Sequence, residues 1–548
     1  MYDPITGKPV LWSWDAASRT WGLFAEDTWR ARKNLTLTLG LRWDDSGNPW
    51  SKSPTTVFGN FYLGPGQTFQ QQVANGFAKA THNALNHSVN NLISPRVGFA
   101  WDLNGTGNTV LRGGFGIYNN WLTQANVQEE FRGSPPGPIT PNFTTGTSTP
   151  PLFVLGTGGK PPFGFTYPAL AGSPLCPTLG PSGCLNSQGG IVGGNFGIGA
   201  INPNLKSPKA NIWSATLERK ISNNYSASVG YAGSHGYNMV GGGDQAGIVS
   251  YGQNINAFAG DLIQNNSLAP TRLNPSFGGI GYTDNNRHSN YESVFFELKG
   301  RFSHRGFFDA SYTRSQSKDD ASVYPAEANP NQYYGLSPWD VPNRFSLTLN
   351  YELPGLNGGN GFVGRVTGGW GISGTSVFQS GYPQMIWTTA SFQPICQNAS
   401  AKCPSAGNQV IGFAPGSGDF NADGDTSGAA GVGVDYPDVS SYHQGTSKTA
   451  FLNGSFAAGQ FTQPAFGSQG NEKPSQFRSP NFAETDLNFY KNTRLTERVN
   501  FQVRFEFFNI FNRVTLTQFD NNLADGTFGK ATAQQLPRNW QVGGKITF

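Results

Sequence analysis

Wherever the chain turns apolar, hydrophobic and polar residues alternate with a period of two. Between Asn34 and Asp44, Leu35, Leu37, Leu39, Leu41 and Trp43 fall on one side, and Thr36, Thr38, Gly40, Arg42 and Asp44 on the other. That period places successive side chains on opposite faces of an extended strand, so the segment reads as a strand with one apolar face. The pattern returns with Val97, Phe99, Trp101 and Leu103, with Phe345, Leu347, Leu349, Tyr351 and Leu353, and with Phe501, Val503, Phe505 and Phe507. About 13 such segments are predicted, beginning near residues 19, 35, 95, 109, 209, 225, 290, 307, 343, 362, 482, 499 and 538.

The connections between them alternate in length. Short turns lie at 31–34, 104–108, 221–224, 304–306, 354–361 and 495–498, and long loops at 46–93, 120–207, 236–288, 319–342, 381–480 and 513–536. Hairpins tight at one end and long at the other are the layout of an outer-membrane β-barrel, with short periplasmic turns and long external loops. The expected fold is therefore all-β, an antiparallel up-and-down transmembrane barrel. Residues 1–18 form an irregular leading segment and 19–548 a partial barrel. The apolar stripe then faces lipid, the polar stripe the lumen, and closure removes strand edges that lipid cannot satisfy. A soluble sandwich or propeller is the alternative, but such folds rarely carry six long loops at one end. Trp21, Trp29, Trp43, Trp121, Trp213, Trp370 and Trp540 sit in or beside predicted strands, as expected of interfacial girdles.

Composition narrows the choice. Charged residues make up 13% of the 548, about half the globular norm, and aromatics another 13%, with 72 Gly and 36 Pro. Disorder is disfavoured by the aromatic content. No apolar run approaches the roughly 20 residues of a transmembrane helix, so any membrane role uses strands. The net charge of +4 is small and unclustered, which excludes a nucleic-acid footprint. Met1 to Val10 carry neither a basic nor an apolar signal region. If the last strand descends toward the periplasm, the alternation stays in phase back to the first, which then also descends. An odd count does not close an antiparallel barrel, so upstream strands are expected.

Candidate chemistry is sparse. Cys176 and Cys184, and Cys396 and Cys403, are close pairs within long loops without zinc-site spacing. They read as two local disulfides, with free thiols as the alternative, and disulfides imply an oxidising compartment. Asp419, Asn421, Asp423 and Asp425, with Gly424, place oxygen ligands at alternate positions like the opening half of a calcium loop. Position 12 is Ala430 rather than a bidentate Glu, and Asp435 or Asp438 are the possible substitutes. A solvated acidic turn is the plain alternative. The six histidines form no metal motif and no nucleophile elbow occurs, so no enzymatic activity is expected.

The stretches 94–120 (SPRVGFAWDLNGTGNTVLRGGFGIYNN), 479–513 (SPNFAETDLNFYKNTRLTERVNFQVRFEFFNIFNR) and 537–548 (PRNWQVGGKITF) resemble the barrel of TonB-dependent outer-membrane receptors, Oar-like branch. The resemblance implies the last 13 strands of a 22-stranded barrel plugged by an N-terminal domain. It implies energy-coupled uptake of a large or scarce external ligand through the TonB complex, although neither plug nor coupling box occurs in this chain. Trp540, Val542, Ile546 and Phe548 share one face of the last strand and resemble the carboxy-terminal signal read by the barrel-assembly machinery. Outer-membrane lipid is the expected surround. A surface binding or adhesive protein that does not transport is the second reading.

Overall fold

The computed structural model describes residues 16–52, 58–120, 185–190, 197–240, 271–302, 304–322, 334–355, 361–388, 435–465 and 467–548, with 137, 253–256, 258, 260, 394–398, 408, 410–413 and 420–421. Thirteen long strands, each hydrogen-bonded to the next along the chain, form one antiparallel path. They are β1 (Trp21–Arg32), β2 (Leu35–Asp45), β3 (Leu92–Asp102), β4 (Thr109–Asn119), β5 (Lys209–Lys220), β6 (Tyr225–Met239) and β7 (Arg287–Arg301). The path continues through β8 (Gly306–Asp319), β9 (Asn343–Glu352), β10 (Trp370–Gln379), β11 (Phe482–Arg494), β12 (Asn500–Phe508) and β13 (Asn539–Thr547). A two-residue strand, Gly335–Leu336, adds a fourteenth member by pairing with the end of β8.

Register explains why the alternation was so regular. One cross-strand row runs Leu35, Trp101, Leu111, Leu217, Val229, Phe296, Tyr312, Phe345, Phe378 across nine strands. A second runs Tyr225, Gly300, Phe308, Leu349, Gly374, Leu487, Phe507, Trp540. A one-residue slip would turn every apolar side chain to the other face, so these rows fix the register. Opposite them lie polar rows such as Ser228, Glu297, Ser311 and Ser346. Outward residues remain uncovered by protein: Leu23 is 69% exposed and Trp540 67%. A face this apolar without a protein partner is the surface a bilayer covers.

Glycines in the strands serve these rows. The Trp213 ring lies over Gly233, where an added Cβ would stand 2.6 Å from the indole, and the Phe308 ring covers Gly300 in the same way. Part of the glycine content is thus spent on giving aromatic rings a seat on the neighbouring strand.

One expectation needs correction. The segment near 362 begins not as a strand but as the helix Gly361–Thr367, and the strand starts at Trp370. Lys491 Nζ donates to the carbonyls of Arg365, Val366 and Gly368 at 2.9, 3.1 and 2.7 Å, satisfying the helix's C-terminal acceptors. This cap comes from β11, more than a hundred residues away, and overrides the β-branched local pattern. The described strands form an open path, as the partial barrel expected from sequence does. β1 and β13 each pair with a single neighbour, and in an alternating path of thirteen they run in the same direction.

The hydrophobic core sits in the long connections. Among the described residues, the buried apolar side chains outside them are few, chiefly Leu92 at the start of β3. One lobe combines the connections after β2, β4 and β6, with Phe61, Val73, Ile198, Phe277 and Ile280 buried together. There the strand Ile198–Ile201 pairs in parallel with Ile280–Thr283. Asn60 exchanges two 3.0 Å hydrogen bonds with the Ile201 backbone, and Asn274 donates to the Val73 and Gly76 carbonyls, so buried amides lock the segments together. A second lobe joins the connections after β10 and β12 around Ile386, Phe451, Phe477, Leu516 and Phe519. Phe456 lies at 5.1 to 5.5 Å from the rings of Phe461, Phe477, Phe519 and Phe528. Edge-to-face and stacked packing of this kind adds roughly 0.5–1.5 kcal/mol per pair beyond area burial.

Candidate functional site

At the long-loop end, the inward faces of β6, β7 and β8 line a cavity of about 790 Å³. Its wall owes its character to period-two alternation in β8, where Thr313, Ser315, Ser317 and Asp319 all point to the lumen side. Ser234 of β6 and Tyr291 of β7 continue the surface. Residues 337–341 fold inward over it and are pinned at several points. Ser317 Oγ meets Ser337 Oγ at 2.9 Å, Ser315 Oγ donates to the Val341 carbonyl at 2.8 Å, and the Ser317 amide donates to Asp340 Oδ1 at 2.6 Å. Asp340, almost fully buried, pairs through Oδ2 with Arg478 from the connection after β10. Held on this segment, the Trp339 side chain is 61% exposed.

Asp319 closes the upper wall. Its Oδ1 accepts from the amides of Ala321 and Ser322 at 3.0 and 2.7 Å, while Oδ2 is buried and has no partner among the described residues. Beyond it, Arg287 donates to the Asp320 carbonyl at 2.7 Å, and His288 Nδ1 lies 2.9 Å from Asp320 Oδ2. His288 stacks on Tyr334 at 4.6 Å, and Asn290 bridges the Tyr334 hydroxyl and His235 Nδ1, each at 2.7 Å. Within this polar network His235, His288 and Asn290 stand at outward positions of β6 and β7. It marks where the apolar band ends and the strands rise clear of lipid.

A second charged group is buried in the lobe after β10. Glu472 Oε1 accepts from the Ile386 amide at 2.8 Å, and Oε2 has no partner among the described residues. Burial holds this carboxyl's pKa well above the usual carboxylate range. The nearby Tyr442 hydroxyl is pushed up by burial and, secondarily, by Glu472.

The residues singled out from sequence fall elsewhere. Asn421 is buried and its carbonyl accepts from the Gly260 amide, whereas Asp419, Asp423 and Asp425 lie outside the described residues. Among the described residues no cluster of three His, Cys, Asp or Glu side chains is placed to hold a metal ion. Cys396 is disulfide-bonded, and Cys176, Cys184 and Cys403 lie outside the described residues. Trp540, Val542 and Ile546 stand in register with Phe507, Phe505 and Phe501 on the outward face, and Phe548 follows the last strand, 95% exposed. Of the tryptophans, Trp21, Trp43 and Trp540 lie near the long-loop ends of their strands and Trp29 and Trp370 near the short-turn ends, while Trp213 is spent on covering Gly233. Trp121 lies outside the described residues. Trp339, Asp340 and Arg478 were not anticipated. The alternating Thr313, Ser315, Ser317 was the readable part of the cavity.

A family model described as outer membrane beta barrel domain matches residues 9–541. No curated protein matches the chain. Among solved structures, the ferripyoverdine receptor of the Pseudomonas aeruginosa outer membrane aligns at 11% identity and TM-score 0.40, over 97% of this chain and 39% of that one. The siderophore receptor PiuA from Acinetobacter baumannii aligns at 8% and 0.41, over 97% and 43%. The outer membrane transporter YddB from Escherichia coli aligns at 9% and 0.43, over 97% and 54%. The chain thus spans about two fifths to half the length of these structures.

Proposed function

The chain belongs to the outer-membrane β-barrel domain family, and from that premise we propose that it is the barrel portion of a TonB-dependent receptor, serving energy-coupled uptake of a large or scarce nutrient. The observation that carries the reading is the cavity on the lumen side of the long-loop mouth, roofed by segments fixed to the strands. A ligand arriving from outside meets that surface before it meets the channel. Packed lobes around the mouth supply the rigid, shaped surroundings that a capture site requires. A partner plug and the TonB complex would provide gating and energy. In this reading Trp540, Val542, Ile546 and Phe548 serve insertion through the barrel-assembly machinery.

The test compares three strains: wild type, one lacking this gene, and one lacking the energy-coupling protein. A nutrient whose accumulation is lost equally in both mutants supports transport. Accumulation that needs this gene but survives loss of the coupling protein would overturn energy coupling. Surface capture without accumulation in wild type would favour the adhesive reading.

A further inference from the structure

We infer that the cavity beneath Trp339 binds a neutral saccharide. It takes its external access from the function proposed above, but it does not depend on energy coupling.

Hydroxyls supply much of the polar part of a wall that also carries Met239, Val240, Tyr291, Pro338 and Val341. Ser234 and Thr313 present hydroxyls that both donate and accept, and Ser315, whose O–H is given to the Val341 carbonyl, keeps acceptor capacity, which suits a ligand whose own groups do both. Ser315 and Ser317 already hold the 337–341 segment, so the remaining hydroxyl capacity faces the space with fixed geometry. Asp319 offers a buried carboxylate oxygen without a partner among the described residues. A donor brought by a ligand would satisfy it, and a polyol carries many donors.

Among the apolar lining residues, Trp339 supplies a flat and exposed surface. An exposed indole on a mobile loop would be unremarkable, but this one is carried by a backbone tied through Ser337, Asp340 and Val341. A rigid amphipathic ring loses little conformational freedom on binding. The C–H face of a pyranose matches such a ring, while its hydroxyl edges reach the serine wall.

Charge argues against an anionic ligand. Among the described residues, the lining carboxylates are Asp319 and Asp340, and the cations near them are Arg344 on the wall, Arg287 beside Asp319 and Asp320, and Arg478 behind Asp340. Arg478 is committed to Asp340, Arg344 donates to Gln379 and Arg287 donates to the Asp320 carbonyl, so among the described residues no uncommitted cation cluster waits for phosphate or carboxylate. A volume of about 790 Å³ accommodates a few sugar rings.

The experiment uses the full chain purified from outer membranes in detergent, titrated by calorimetry with maltohexaose, xylohexaose and cellohexaose, and with hexagalacturonate as an anionic probe of similar length. At least one neutral hexamer should bind, with Trp339→Ala weakening it at least tenfold, Trp339→Phe retaining part of the affinity, and Arg344→Gln leaving it within about twofold. Heat-modifiable gel mobility checks that each variant is folded. Absence of binding by all three neutral sugars, tighter binding of hexagalacturonate, or neutral binding unchanged in Trp339→Ala would each overturn the inference. Loss of uptake in the coupling mutant reads a different property, so transport can fail while saccharide binding stands.

Discussion

Arg478 reaches across 138 positions of sequence to pair with Asp340, joining the connection after β10 to the one after β8. The same guanidinium donates to the carbonyls of Asp340 and Gly381, each at 3.1 Å. Asp340 is shielded from solvent while Arg478 keeps about a quarter of its surface. The pair therefore fixes the roof of the cavity rather than decorating the rim.

Removing the cation should loosen that roof. Arg478→Ala leaves a buried carboxylate without its partner, a loss of about 2–3 kcal/mol once the partial exposure of Arg478 is discounted. Limited proteolysis should cut within 334–342 several times faster than in wild type, with the strands still protected. An unchanged cleavage rate would mean that the serine contacts alone hold the segment.

Face assignment can be tested at two adjacent residues. Phe505 stands in the outward row between Phe489 and Val542, and Arg504 points to the lumen beside Glu506. A basic charge at the bilayer midplane of a barrel costs about 2–4 kcal/mol. Phe505→Arg should lower the assembled yield, and Arg504→Gln should not, as read by heat-modifiable mobility of outer-membrane fractions. Equal yields would reverse the assignment.

The seat under Trp213 should be intolerant of a side chain. Gly233→Val introduces a Cβ where the indole already lies, and overpacking of this kind costs about 1–3 kcal/mol. A lower thermal midpoint than wild type is expected, with much of the loss recovered by Trp213→Ala in the same chain. Failure of the second substitution to rescue would show that the glycine is needed for another reason.

Glu472 makes the lobe after β10 pH-dependent. Its carboxyl has a higher pKa in the folded lobe than in the unfolded chain, so the folded form binds the proton more tightly. The contribution is full below the unfolded value of about 4.3 and is lost as pH rises through the folded pKa. Hydrogen exchange at Phe451 and Phe477 should accelerate more steeply with pH than the intrinsic rate. Glu472→Gln should remove that excess slope, and an excess slope persisting in the variant would assign it to another group.

Much of the barrel was determined by the sequence itself, because a strand lying between lipid and lumen writes a period-two pattern at every position. The rows from Leu35 to Phe378 and from Tyr225 to Trp540 are therefore legible one strand at a time, and the strand count follows. The alternating hydroxyls of β8 were legible for the same reason. The strand near 362 was misread because the helix Gly361–Thr367 depends on Lys491, a cap contributed by a distant strand. Only the tertiary structure decided the lobes and the cavity. Phe61 with Phe277 and Asp340 with Arg478 are contacts between separate connections, and Trp339 is brought by the connection after β8 onto the cavity that the β8 serines line. Such contacts leave no local period, since each partner sits in a segment whose residues obey no repeat and whose neighbours are chosen by the path of the strands beneath.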